Sequence, residues 1–237
     1  YEVLTGPQSF HEVMIETAHP NFFLAPSTGA LAGANVEFVN LDRREFRLYD
    51  NILAIKDQFD YILIDNPPSL GLLTLNGLTA ADQILIPVQA EYFALEGLGQ
   101  LTETIDLIKE NLKPELDVLG VVLTMYDSRY RLANDVLREL YNFFPNKIFR
   151  SVIPRSVRLS EAPSHGKSIL HYDPTSKAAK AYEKLAREFV FMASGEKLED
   201  PEEIAALAAA AAEAAEAAET EALAAATEEA EKAEVSE

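Results

Sequence analysis

The run Asp60-Tyr-Ile-Leu-Ile-Asp65-Asn-Pro-Pro-Ser-Leu-Gly-Leu-Leu-Thr-Leu-Asn76 carries the strongest local signal for chemistry. Four apolar residues and then a carboxylate put a fixed negative charge at the end of a strand. Such a charge suits magnesium, which takes oxygen ligands in octahedral geometry, so that one carboxylate acting through water, with phosphates, completes the set. Pro67 and Pro68 stiffen the following turn and deny a helix start there. The same pattern serves an aspartate that only caps the next helix.

A second stretch bears charge of the opposite sign. The net charge is −19, of which residues 196–237 hold −12 and residues 1–195 hold −7, yet 127–171 is locally +4. Arg129 and Arg158 lie in that stretch with Arg131, Arg138, Lys147, Arg150 and Lys167. Guanidinium groups match phosphate through two parallel N–H bonds and give affinity without sequence choice. Ordinary surface charges would read the same way. Tyr126 and Tyr130 flank Arg129 and could stack on a nucleotide or simply pack. His11, His19, His165 and His171 lack the spacing of metal ligands or a paired carboxylate.

A phosphate cradle needs glycines with converging N–H groups, then Lys and Ser or Thr. Gly166-Lys167-Ser168 has the end of that pattern, but Glu161 stands where its first glycine must be, and no other stretch fits.

Elements must position these groups. Tyr61–Ile64, Gln83–Val88 and Val118–Thr124 read as parallel strands covered on both faces, with weaker candidates at Phe22–Ala25 and Lys147–Val152. Helical stretches at 8–18, 40–57, 93–112, 129–143 and 176–192 lie between them, the clearest spacing being Leu95, Leu98, Leu101, Ile105 and Ile108. Alternation of this kind predicts an α/β domain over 1–195, a doubly wound, mostly parallel sheet with helices on both faces. From 196 to 237 the chain is an acidic Ala/Glu-rich tail, expected as helix or disorder because it has little to bury. There is no cysteine, which excludes disulfides and thiolate metal sites, and no apolar run reaches the roughly 18 residues of a membrane span.

Five blocks, Asp65 to Asn76, Leu85-Ile-Pro-Val-Gln89 with Glu91 to Gly97, Leu123 to Arg129, Ile153 to Lys167 and Tyr172 to Lys177, resemble the ParA/Soj partitioning ATPases in order and spacing. The resemblance covers roughly 60–190. It implies a P-loop NTPase fold, an ATPase that binds ATP and Mg2+, and a nucleotide-bound homodimer. It also implies non-specific DNA binding, a ParB-like centromere-binding partner, and a cytoplasmic, nucleoid-associated protein that does not use a membrane. By the same resemblance Asp65 takes the magnesium side through water, and Pro67, Pro68, Ser69 and Gly71 form the switch loop at the dimer face. Met125, Pro154 and Arg155 surround the nucleotide base, and Arg129 and Arg158 contact DNA phosphates. Asn66 departs from the small or thiol residue the family more often has there.

The family's glycine-rich phosphate loop, its first strand and the acidic segment after them are not in this sequence. With Tyr1 as first residue, they are expected upstream, and the chain alone is expected to expose apolar faces and not to hydrolyse ATP. The alternative is a non-catalytic relative without the loop that binds DNA or a ParB-like partner. A MinD-like membrane-cycling ATPase is disfavoured, because the acidic tail is unlike a basic amphipathic helix.

Overall fold

The computed structural model describes residues 1–194 other than Pro7 and Pro68, and of Glu96 only the backbone. The expected tail over 196–237 lies outside the described residues. The described residues pack as two compact units, one formed by Tyr1–Ile84 with Gly99–Asp117, the other by Leu85–Leu98 with the described residues from Val118.

The first unit begins with two short helices, α1 (Glu2–Thr5) and α2 (Phe10–Val13). A two-residue antiparallel pair follows, β1 (Ile15–Glu16) against β2 (Phe23–Leu24). The helix expected over 8–18 is therefore one turn only, because Met14 is already extended at φ −66°, ψ 135°. Next come α3 (Ala34–Glu37), α4 (Arg47–Ile52) and α5 (Leu72–Ala80). The helix expected over 40–57 is broken by the left-handed backbone of Arg43 (φ 52°), which leaves α4 and short 3-10 turns. Leu4, Ala34 and Phe38 form a small core, with Leu31, Leu48, Leu72 and Leu73 against it.

Polar side chains fix α5 to its surroundings. Asn76 is fully buried; its amide nitrogen donates to the Arg44 and Leu72 carbonyls (2.8 and 2.9 Å), and its oxygen accepts from Leu48 N–H (3.0 Å). The Lys113 ammonium, 5% exposed, donates to the Thr79 and Ala81 carbonyls at the helix C-terminus, where the peptide dipoles favour a cation.

One expectation fails here. Tyr61–Ile64 forms no strand, and Tyr61, Ile62 and Leu63 are exposed, Leu63 at 76%. A β-type segment gains its structure from a neighbour's hydrogen bonds, and no strand pairs with this one among the described residues.

The second unit holds most of a parallel sheet. β3 (Gln83–Gln89) and β4 (Asp117–Thr124) are neighbours joined by the long helix α6 (Tyr92–Asn111), whose Leu98, Ile105 and Ile108 are buried as their spacing predicts. The strands run the same way, since Asp117 N–H reaches the Asp82 carbonyl near their starts and Ala90 N–H bonds the Thr124 carbonyl at their ends. β4 is buried on both faces, as expected of a central strand. β3 is not: Ile84, Ile86 and Val88 are buried while the alternate residues face out. It is the edge of this sheet among the described residues, a position that tolerates Pro87, which has no N–H to give.

On the other side of β4, residues 147–154 run parallel to it through bridges Val121 to Ile148 and Tyr126 to Pro154. Gly120 is required there, because a Cβ would stand 2.6 Å from the Phe149 ring. Four helices complete the unit: α7 (Arg131–Phe143), α8 (Val157–Glu161), α9 (Ile169–Tyr172) and α10 (Lys177–Ala193). Ser176 caps α10 by accepting from Ala179 N–H at 3.1 Å. Leu185, Phe189 and Met192 of α10 pack on Leu119, Val122, Phe149 and Ile153. Its Glu188 carboxylate accepts from the N–H groups of Arg150 and Ser151 (2.6 and 2.9 Å).

Candidate functional site

Asp65 is exposed, as are Asn66, Pro67, Ser69 and Leu70 after it. Asn66 is keyed to α5. A Cβ at Gly77 would run into the amide oxygen of the exposed Asn66 side chain and come within 2.8 Å of its Cγ, so any larger residue there makes that side chain turn aside. Asn66 in turn donates to the Ile64 carbonyl at 3.1 Å. The loop after it is held by α5 as well. The Thr74 hydroxyl donates to the Ser69 carbonyl at 2.6 Å, and Gly71 N–H closes on the same carbonyl at 2.9 Å. Pro67, Ser69 and Gly71 thus sit in one short loop with Asp65, while Pro68 lies outside the described residues.

The second unit contains a cleft of about 380 Å³ lined by residues 90–93, Met125, Asp127, Tyr130, Leu132, Ala133 and Arg155. Segments that leave the carboxyl ends of three adjacent parallel stretches, β3, β4 and residues 147–154, build it, the position at which such sheets bind ligands. Met125 takes a left-handed backbone (φ 52°) that turns the chain off β4. Tyr126 and the Pro154 segment are then tied together, with Tyr126 N–H bonding the Ile153 carbonyl and Arg155 N–H the Tyr126 carbonyl, both at 3.0 Å. The Arg155 guanidinium donates to Glu91 at 2.6 Å on the cleft wall. Met125 and Arg155, expected beside one ligand, line one cleft; Pro154, expected with them, is not among its lining residues and pairs with Tyr126. Of the two tyrosines, Tyr130 lines the cleft, while the Tyr126 hydroxyl donates to Asn134 at 2.7 Å and burial pushes its phenol up.

Both candidate DNA-contact arginines carry intramolecular carboxylates. Arg129 binds Asp127 through two side-chain bonds, Nε at 3.0 Å and Nη2 at 2.7 Å, and its backbone N–H reaches the same carboxylate at 3.1 Å. The Arg129 hydrogen bonds hold the Asp127 carboxyl below the usual carboxylate range against a burial penalty, and Arg155 adds to the effect. Arg158 donates to Glu161 at 3.1 Å and lies 3.8 Å from Asp173, while the Tyr172 hydroxyl donates to Glu161. The histidines take part in local contacts, His165 stacking on Tyr172 and His171 beside the Ser168 hydroxyl.

Known proteins place this arrangement. A family profile described as an AAA domain matches residues 1–118. The chromosome partitioning protein ParA of Myxococcus xanthus is 50% identical over 190 residues, 80% of this chain and 67% of its own length. The sporulation initiation inhibitor protein Soj of Bacillus subtilis is 48% identical over 188 residues, 79% of this chain and 74% of its own. The chain belongs to the ParA/Soj family of chromosome-partitioning ATPases. Among solved structures, cobyrinic acid a,c-diamide synthase from Mycobacterium smegmatis, with bound ATP analogue and magnesium, is 33% identical with a TM-score of 0.71, over 83% of this chain and 73% of that one. A plasmid partition protein of Borrelia burgdorferi, 22% identical with a TM-score of 0.67 over 80% of this chain and 72% of that one, shares the fold.

The groups a ParA/Soj ATPase handles can be weighed against these side chains. No cluster of three potential metal ligands exists among the described residues. Asp65 fits a magnesium ion held mostly by phosphate and water, and does not fit one caged by protein. The mixed apolar and polar cleft fits a nucleobase. The family's glycine-rich phosphate loop has no counterpart in the 237 residues. Sequence reasoning missed Glu91 and Asp127 as partners of the site arginines, although the spacing Asp127-Ser-Arg129 is a readable signal for a local ion pair.

Proposed function

We propose that the chain serves DNA partition by holding an adenine nucleotide in the cleft between Met125 and Arg155 and by meeting DNA phosphates through Arg129 and Arg158. The observation that carries this reading is the cleft itself: residues chosen from distant parts of the sequence for one ligand line one cavity, and the Arg129 loop forms part of its wall. The ATP analogue and magnesium of the mycobacterial relative support the choice of ligand. Asp65 takes magnesium through water, with Pro67 to Gly71 as the loop that senses the phosphates and meets a second subunit in a nucleotide-bound homodimer. A ParB-like centromere-binding protein stimulates hydrolysis, and the protein works on the nucleoid in the cytoplasm. No helix among the described residues is long and apolar enough to cross a membrane. Residues 1–195 carry these roles as one ATPase domain, with 196–237 as an acidic tail.

Hydrolysis needs a phosphate cradle, so the chain by itself is expected to bind nucleotide weakly and not to turn it over. That same feature favours a second reading, a non-catalytic DNA- or ParB-binding relative. Titration of the chain with a fluorescent adenine nucleotide tests the first. Binding displaced by ATP and weakened by Arg155→Ala supports it. Salt-sensitive DNA retention by a chain that binds no nucleotide supports the second.

A further inference from the structure

The pairing of Arg129 differs from an ordinary surface ion pair. Exposed pairs are loose and contribute little. Here the acid is shielded and the base is open to solvent: the Asp127 side chain is 15% exposed and that of Arg129 is 75% exposed. Asp127 accepts three bonds from one residue, two from the guanidinium and one from the backbone N–H, which locks the geometry of the Asp127-Ser-Arg129 turn. Asp127 also lines the cleft, whose wall carries the Arg155 and Glu91 pair. One end of the clasp therefore belongs to the cleft and the other reaches solvent.

A guanidinium gripped on two N–H groups presents its remaining donors outward. Its charge is nevertheless offset by the carboxylate, and an arriving phosphate meets a near-neutral pair. Phosphate then gains full contact only by displacing Asp127 from the two-point site.

We infer that Asp127 is a positioning residue that holds Arg129 in check, so that release of this clasp sets how much of the Arg129 charge is available to DNA phosphate. The inference rests on the reading that Arg129 contacts DNA. Asp127 acts through Arg129 alone, and the clasp shares its acid with the nucleotide cleft, so a ligand there that engages Asp127 frees the arginine.

The test is the salt dependence of binding to a duplex of mixed sequence, measured on the full chain as wild type, Asp127→Asn, Arg129→Ala and the double variant. Asp127→Asn is expected to bind several-fold more tightly at low salt and to steepen the slope of log K against log salt by about 0.9, the value of one further phosphate contact. The double variant is expected to behave as Arg129→Ala. If Asp127→Asn binds no better than wild type while Arg129→Ala weakens binding, or if its gain survives in the Arg129→Ala background, the inference is overturned. If neither Arg129→Ala nor Arg158→Ala changes binding, or the chain binds no DNA, the DNA-contact reading itself fails and the inference with it. Should Asp127→Asn not fold by circular dichroism, Asp127→Ser carries the test, since its hydroxyl can still accept from the Arg129 N–H while carrying no charge. The same several-fold gain is expected for it, and binding no tighter than wild type overturns the inference.

Discussion

Two apolar runs of this chain have nearly the same sequence character and opposite fates. Val118–Thr124 is flanked by β3 and by residues 147–154, and its Val121 and Leu123 are fully buried. Tyr61–Ile64 makes no ladder, and Leu63 is among the most exposed large apolar residues described. The difference teaches that β-type sequence is a demand for neighbours. Only the run that finds hydrogen-bonding partners on both edges becomes core.

Substitutions in the two regions should separate accordingly. The largest effect is expected from Phe149→Ala, which empties a fully buried site against Gly120, Leu119 and Ile153 and should cost about 3–5 kcal/mol in urea unfolding. A loss below about 1 kcal/mol would show that this core is not what holds the second unit. Gly77→Ala comes next. It makes the exposed Asn66 side chain turn away and give up its bond to the Ile64 carbonyl, while alanine gains about 0.8–1.0 kcal/mol of helix propensity, so the net change is expected to stay within about 1 kcal/mol and to become more favourable when Asn66→Ala is added. A loss above about 2 kcal/mol that Asn66→Ala does not relieve would show that something other than Asn66 excludes the methyl. Leu63→Ser should move the unfolding midpoint by less than about 0.5 kcal/mol, since it removes surface already in water. A larger loss would mean that Leu63 is buried in solution.

The smallest effect concerns pH. The carboxyl of Asp127 lies below its ordinary range because Arg129 donates to its ionised form. Its stabilisation is therefore fully present above the unfolded value of about 3.9 and is lost only as pH falls through the lower folded value. The effect of Asp127→Asn on stability should be flat between about pH 5 and 8. An effect that grows from pH 5 to 7 would contradict the ion pair.

Helices α6 and α7 were legible because their signals are local and periodic. Leu98, Ile105 and Ile108 on α6, and Ala133, Val136 and Leu140 on α7, follow helical spacing and are buried. α5 was not legible as a helix, since Leu72–Ala80 buries polar Thr74, Asn76 and Thr79 together with its apolar residues, which leaves no apolar stripe set against a polar face. The exposed state of Tyr61–Ile64 depends on pairing partners far along the chain and cannot be read from four residues. At the candidate site, the motifs brought Met125 and Arg155 to the same cleft, but the carboxylates beside each arginine are contacts of particular side chains. Glu91 meets Arg155 from 64 positions away. Asp127, two residues from Arg129, was within reach of sequence reasoning.

The account turns on whether this chain meets DNA through its two clasped arginines. Retention of duplex DNA of mixed sequence by the wild-type chain and by Arg129→Ala/Arg158→Ala, measured across a salt series, asks this most directly. The account predicts salt-sensitive binding by the wild type and a shallower slope in the double variant, by less than the value of about 1.8 that two fully available phosphate contacts would carry. Equal binding with an unchanged slope in the two proteins would contradict it.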